Sequence, residues 1–300
     1  MANSSAKFLS GAIIEEGTMP NMPRLSYSGI EYLTHVWNFF TGCHHKQSGT
    51  CPPEFTCWAE TITKRFKGHY PNGFYPTFYP EAFLSPIYLK KPARIGCAFM
   101  GDLFGDWVDP GDDFGGTLGE DDAGFFTLKG RIEDTIKRCP QHTFVFLTKN
   151  PKGLLPWSPF PDNAWVGTTV CNREMAHTAF NYLQYIDAKH KWLSFEPLLD
   201  DVSQYLYFPG LIKMVDWVVV GSQSSPRKYP DVDWVENIVW ACLKAHVPVW
   251  LKNNLVKALP PAPPFYVPPC ELPTKGSFEM VYRQEIPKRY LPKDHRQAPR

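Results

Sequence analysis

From residue 93 onward, short continuous apolar runs alternate with amphipathic stretches. Residues 94–100, 142–147, 164–170, 191–195, 216–221 and 247–251 read as strands, bounded by turn residues and rich in β-branched and aromatic side chains. Helices are expected over 126–138, where Cys139-Pro140 ends the pattern, and over 173–187, 198–207 and 232–245. With residues 32–37 as the first, the chain carries seven strands in βα order. Runs that are apolar throughout, rather than alternating, imply strands covered on both faces, hence a parallel sheet. The expected fold class is α/β, a TIM-type (β/α) barrel, complete or incomplete. Polar residues recur at the strand ends: Asp102, Lys149, Thr169 with Cys171, Glu196, Ser222 with Gln223, and Lys252 with Asn253. In barrels those ends converge on one active-site face.

Four regions break the alternation. Residues 1–26 form an N-terminal extension to a barrel over 27–258, and residues 66–92 are an aromatic and proline-rich insert expected to cover it. After residue 258 the pattern stops at Pro260-Pro261-Ala262-Pro263-Pro264, so residues 259–300 read as an extended, basic, partly disordered tail. The Gly/Asp-rich stretch 109–122 reads as a solvated loop whose spacing misses the EF-hand pattern.

The balance of 31 basic and 30 acidic residues offers no global electrostatic case for nucleic acid and leaves only a local patch. No signal-peptide core and no run of about 18 apolar residues is present, so a cytoplasmic protein without a membrane span is expected. In that compartment cysteines stay reduced, buried or metal-bound. Of the eight, Cys97, Cys139, Cys171, Cys242 and Cys270 are scattered and read as small core residues. Cys43, Cys51 and Cys57 fall within one loop, 43–57, just past the first strand. Three thiolates can hold a metal centre and leave one coordination position open, whereas a structural zinc is normally closed by four ligands.

Several segments resemble a known family. Trp37-Asn38-Phe39-Phe40-Thr41-Gly42-Cys43 is similar to its WNPxTGC opening, and Cys57-Trp58-Ala59-Glu60 to its CYAE. Met100-Gly101-Asp102-Leu103-Phe104, Leu147-Thr148-Lys149, Leu193-Ser194-Phe195-Glu196-Pro197-Leu198-Leu199 and Asp216-Trp217-Val218-Val219-Val220-Gly221 resemble its SDLF, LTK, SxEPLL and DWVIxG segments. Over residues 27–255 the chain thus resembles domain of unknown function 5131, a prokaryotic and phage family regarded as radical-SAM-like. The C-x7-C-x5-C spacing departs from the family's shorter second gap and from the usual C-x3-C-x2-C, and Gln223 stands where the family tends to carry Glu.

The resemblance implies an iron–sulfur enzyme. Cys43, Cys51 and Cys57 would hold a [4Fe–4S] cluster, whose open iron binds S-adenosylmethionine and, with an external electron donor, cleaves it to a 5′-deoxyadenosyl radical. Asp102, Thr169, Glu196 and Gln223 become cofactor contacts, and Trp58 a shield over the cluster. Lys149, Arg227 and Lys252 are candidate cations for a phosphate- or carboxylate-bearing substrate, and Cys171 a candidate hydrogen donor. Two other readings compete. Cys43, Cys51, Cys57 and His44 or His45 make a Cys3His zinc set in a non-catalytic module, with nucleic acid as a partner through the aromatic, basic segment 64–79. Alternatively, the cysteines are merely buried in a barrel without activity. Substrate and oligomeric state are not legible.

Overall fold

A computed structural model describes residues 7–9, 12–14, 25–52, 55–112, 127–207, 210–260, 264–267 and 281–287. The chain divides into two compact units: the described residues up to Val166 with Ile186–Lys189, and Gly167–Tyr185 with the described residues from His190 onward.

In the first unit, β1 (Ser26–Tyr27) lies antiparallel to β2 (His35–Trp37), and β2 runs parallel to β3 (Arg94–Cys97), which runs parallel to β4 (Thr143–Thr148). The strand expected over 94–100 stops at Cys97 because Ala98 adopts φ +57° and turns the chain toward Asp102. Helix α1 (Trp58–Arg65) begins directly after Cys57. Helix α2 (Leu128–Lys137) starts at Thr127, whose hydroxyl accepts from the Gly130 N–H at 3.1 Å. It buries Leu128, Ile132 and Ile136, one residue per turn on the same face.

The 66–92 insert builds this unit's core rather than covering it. Its strand Thr77–Phe78 pairs antiparallel with Phe40–Thr41 and, on its other side, parallel with Ala12–Ile14 of the N-terminal extension. Phe78, Tyr79 and Phe83 are buried, and Phe83 packs on Phe39 and Trp37. The Trp37 indole N–H is satisfied by the Ala82 carbonyl at 2.7 Å, which makes a fully buried tryptophan tolerable there.

Strand β5 (Ala164–Thr169), buried throughout, passes into the second unit at Gly167. There β6 (His190–Phe195), β7 (Trp217–Val220) and β8 (Val249–Leu251) run parallel in that order. Helix α3 (Arg173–Leu183) is capped by Asn172 and α4 (Val232–Ala245) by Asp231. The helix expected over 198–207 shrinks to Ser203–Leu206, since the Leu198 and Leu199 N–H groups donate to Gly221 and Cys171 carbonyls instead.

The described part of the tail is not merely extended. Tyr266–Val267 pairs with Val281–Tyr282, and the Leu251 N–H and Glu285 N–H exchange bonds with Arg283 and Val249 carbonyls. This segment covers the edge of β8, which an apolar strand otherwise leaves open to association. The rest of the tail and residues 113–122 of the expected acidic loop lie outside the described residues. The architecture is mixed α/β with a mostly parallel larger sheet; among the described residues no ring of strands closes. No described helix is long and apolar enough to cross a membrane.

Candidate functional site

The cysteine loop is anchored by two glycines that its motifs carry. Gly42 bridges to Gly101: its N–H donates to the Met100 carbonyl at 3.1 Å, and its carbonyl accepts from the Asp102 N–H at 3.3 Å. Gly42 has φ +89°, and a Cβ there would lie 2.3 Å from the Tyr75 carbonyl oxygen. A Cβ on Gly101 would meet the Gly42 carbonyl at 2.4 Å. Only glycines allow three backbones to approach this closely.

From this junction Cys43 projects with its N–H on the Phe74 carbonyl at 3.2 Å and its Sγ accepting from the His45 N–H at 3.3 Å. The Cys51 N–H donates to the His45 carbonyl at 3.2 Å. His45 therefore ties two of the three cysteines, and Asp102 holds His45. Asp102 is 5% exposed. Its Oδ2 meets His45 Nε2 at 2.6 Å and accepts from the Thr148 hydroxyl at 2.9 Å and the Lys149 N–H at 2.8 Å. Its Oδ1 accepts from the Phe104 N–H at 3.1 Å. A ligand ammonium at Asp102 would have to compete with His45. Burial by itself would raise the Asp102 carboxyl; the His45 charge and the hydrogen bonds from His45, Lys149 and Thr148 outweigh it and hold the group below the ordinary carboxylate range. Trp107 packs edge-on against both His44 and His45, at 5.3 and 4.9 Å.

Cys43, Cys51 and Cys57 are free and half-buried, while Cys97, Cys139, Cys171 and Cys242 are buried. Burial, reinforced by the Asp102 charge, pushes the Cys43 thiol far up. Burial also raises Cys51, with Cys57 and Asp102 adding to it and Lys149 and Lys46 opposing. Thiolates at these positions thus call for a cation, which a metal supplies. The donor set suits a thiolate-bound centre in kind. As placed, however, no group of three His, Cys, Asp or Glu among the described residues is arranged to hold a metal ion. Trp58 is 49% exposed rather than tucked over the thiols. The Lys149 ammonium sits over the Phe55 ring at 5.1 Å.

The remaining predicted residues belong to the second unit. Glu196, just past β6, pairs with Lys252, just past β8. Gly221, past β7, makes room for that pair: a Cβ would come within 3.1 Å of both side chains. Beside them the Ser222 hydroxyl donates to the Asn254 carbonyl at 2.7 Å, and the Asn254 amide returns a bond to the Ser222 carbonyl at 2.8 Å. Gln223 is 4% exposed, and its Oε1 has no hydrogen-bond partner among the described residues. Thr169 and Cys171 are buried, the Cys171 Sγ 4.0 Å from the Glu196 carbonyl. Arg227 is exposed, in a two-stranded hairpin of Gln223–Ser224 with Arg227–Lys228.

The motifs that meet at Gly42 and Gly101 are also those that a family profile recognises. That profile, described as "Protein of unknown function (DUF5131)", matches residues 27–118 and 120–255. The chain belongs to this family. No curated protein and no solved structure matches it. The glycine junction, the cysteine loop and the Glu196–Lys252 pair all lie inside the matched residues.

Sequence reasoning weighed His45 only as a metal ligand and did not single out Trp107 or Asn254. Nothing local marks a histidine as the partner of an aspartate 57 positions away. Asn254 differs from the flagged Asn253 by one residue, and only the turn after β8 decides which amide faces Ser222.

Proposed function

We propose that this chain is a thiolate-ligated metal-centre protein of the radical S-adenosylmethionine type, with Cys43, Cys51 and Cys57 as ligands of a [4Fe–4S] cluster. The observation that carries this reading is the set of three half-buried free thiols on one loop beyond β2, two of which, Cys43 and Cys51, are tied through His45 to Asp102. In parallel α/β folds ligands bind outside the carboxyl ends of strands, and the same reading takes the βα pattern for a partial (β/α) barrel. When bound, such a cluster supplies the electron for reductive cleavage of S-adenosylmethionine; an external donor must replenish it. The protein's own residues have simpler tasks. Asp102 orients His45, and His45 positions Cys43 and Cys51. Lys149 offsets thiolate charge. In the second unit, Glu196, Lys252 and Gln223 offer a carboxylate, an ammonium and an unused amide oxygen to a polar ligand. A reducing cytoplasm, where thiols stay unpaired, suits this chemistry.

A zinc reading has one observation in its favour. The carboxylate–histidine pair Asp102–His45 is the arrangement that commonly orients a metal-ligating histidine. One experiment separates the two: iron, sulfide and zinc analysis of anaerobically purified protein, with EPR of the reduced form with and without S-adenosylmethionine. About four irons and four sulfides per chain, and a spectrum altered by the cofactor, support the enzyme. One zinc without iron replaces it with a structural site. Cys57→Ala should abolish assembly; full iron in that variant rules out this ligand set.

A further inference from the structure

In the segment that follows the cysteine loop, Tyr70, Phe78, Tyr79 and Phe83 are buried, yet Trp58, Phe66 and Tyr75 stay 49%, 45% and 44% exposed. Each is tied to the loop or to its helix. Trp58 adjoins Cys57 and opens α1, and Phe66 closes that helix. The Tyr75 ring packs edge-on against His44 at 5.1 Å, next to the Phe74 carbonyl that receives the Cys43 N–H.

Cations are interleaved with these rings. The Arg65 guanidinium lies 5.3 Å from the Phe66 centroid and the Lys149 ammonium 5.1 Å from that of Phe55. Lys46 and Lys67 are exposed. Lys64 is offset by Glu60 at 2.7 Å and adds little. Leaving aromatic faces in water forgoes burial worth about 25 cal/mol per Å², so three exposed rings within residues 58–75, one of them under the Arg65 guanidinium, point to a ligand. The chemistry that uses both features is a chain of flat, π-faced units on an anionic backbone. A duplex hides its base faces, and an acidic peptide would use the cations but not the rings.

We propose that this aromatic and basic stretch binds single-stranded nucleic acid and leads it past the cysteine loop. That the strand is the substrate rests on the metal-centre reading above; that it binds does not.

The test is fluorescence anisotropy of the full chain with a labelled single-stranded oligonucleotide of about fifteen nucleotides, DNA and RNA in parallel, with the matching duplex and a poly-glutamate peptide as competitors. The expected result is binding to single strands that weakens about tenfold with each of Phe66→Ala and Tyr75→Ala, as loss of one stacked base implies. Arg65→Gln with Lys67→Gln should flatten the salt dependence by roughly 0.7 in log–log slope per lost phosphate contact. Trp240→Ala, an exposed tryptophan of the second unit, should change nothing. Circular dichroism checks that the variants fold. Cys43→Ser separates the two ideas: it should remove metal and keep the anisotropy signal. No binding at low salt, tighter binding of duplex, equal competition by poly-glutamate, or full affinity in a Phe66→Ala/Tyr75→Ala variant would each overturn the proposal.

Discussion

Replacing Asp102 by Ala is the sharpest probe of how the cysteine loop is held. The change removes the acceptor for His45 Nε2, the Thr148 hydroxyl, and the Lys149 and Phe104 N–H groups. Each net hydrogen bond to a charged group contributes about 1.5–3 kcal/mol, but these four share one carboxylate and do not add. The better guide is truncation of one partner in a buried pair, which costs about 3–5 kcal/mol because the other is left buried and unmatched. For a unit of this size, 1 kcal/mol moves Tm by about 2–4 °C, so melting of the first unit should fall by about 6–20 °C. Because the chain has two units, a single melting curve is a poor readout. Hydrogen exchange of peptides spanning 40–57 and 94–104 reports the loop directly, as does the rate at which Cys43 and Cys51 react with a thiol reagent. Both should accelerate at least tenfold in metal-free protein. Wild-type stability from Asp102 is fully present above the unfolded carboxylate value of about 4 and is lost as pH falls through its lower folded value; Asp102→Asn should lack that part of the acid transition. A loss below about 1 kcal/mol with unchanged thiol reactivity would refute the hold of Asp102, through His45, on the cysteine loop.

Gly42→Ala should unfold the loop or cost several kcal/mol, because its Cβ would overlap the Tyr75 carbonyl. Gly49→Ala, at φ +77° with nothing within 4 Å, should cost only about 1–2 kcal/mol; equal effects by urea titration would discount the backbone junction. Burial lowers the pKa of His142, against the bond to the Pro86 carbonyl. Its contribution is therefore complete above about pH 6.5 and lost as pH falls through the folded value, and His142→Phe should remove that slope from the stability–pH profile. In the second unit, Lys252→Met should cost about 1–2 kcal/mol, an exposed-pair value raised by partial burial. Adding Glu196→Gln should recover part of this; strict additivity in the double-mutant cycle would mean that the pair does not couple.

The strands and helices were legible wherever the apolar period was long and uninterrupted, as in α4, found at its predicted bounds of 232–245. Boundaries slipped where a non-periodic interaction won. Ala98 at positive φ cut one strand short, and the bonds of Leu198 and Leu199 unmade most of a helix. The insert was misjudged because aromatic residues look alike whether they cover a core or build it; Phe78 pairs as a strand with Phe40, a partner 38 positions away.

The candidate site divides in the same way. The sequence by itself determined the chemistry on offer: three clustered cysteines, a carboxylate after β3, a lysine after β4, and glycines in two separate motifs. Those are local facts, readable from residue type and spacing. Only the tertiary structure decided that Gly42 and Gly101 touch, that Asp102 spends its acceptors on His45, Thr148 and Lys149, and that Glu196 pairs with Lys252. Such pairings join residues about 50 positions apart through the ordering of parallel strands, and burial sets which charges must find partners. The period of a single segment carries no information on either.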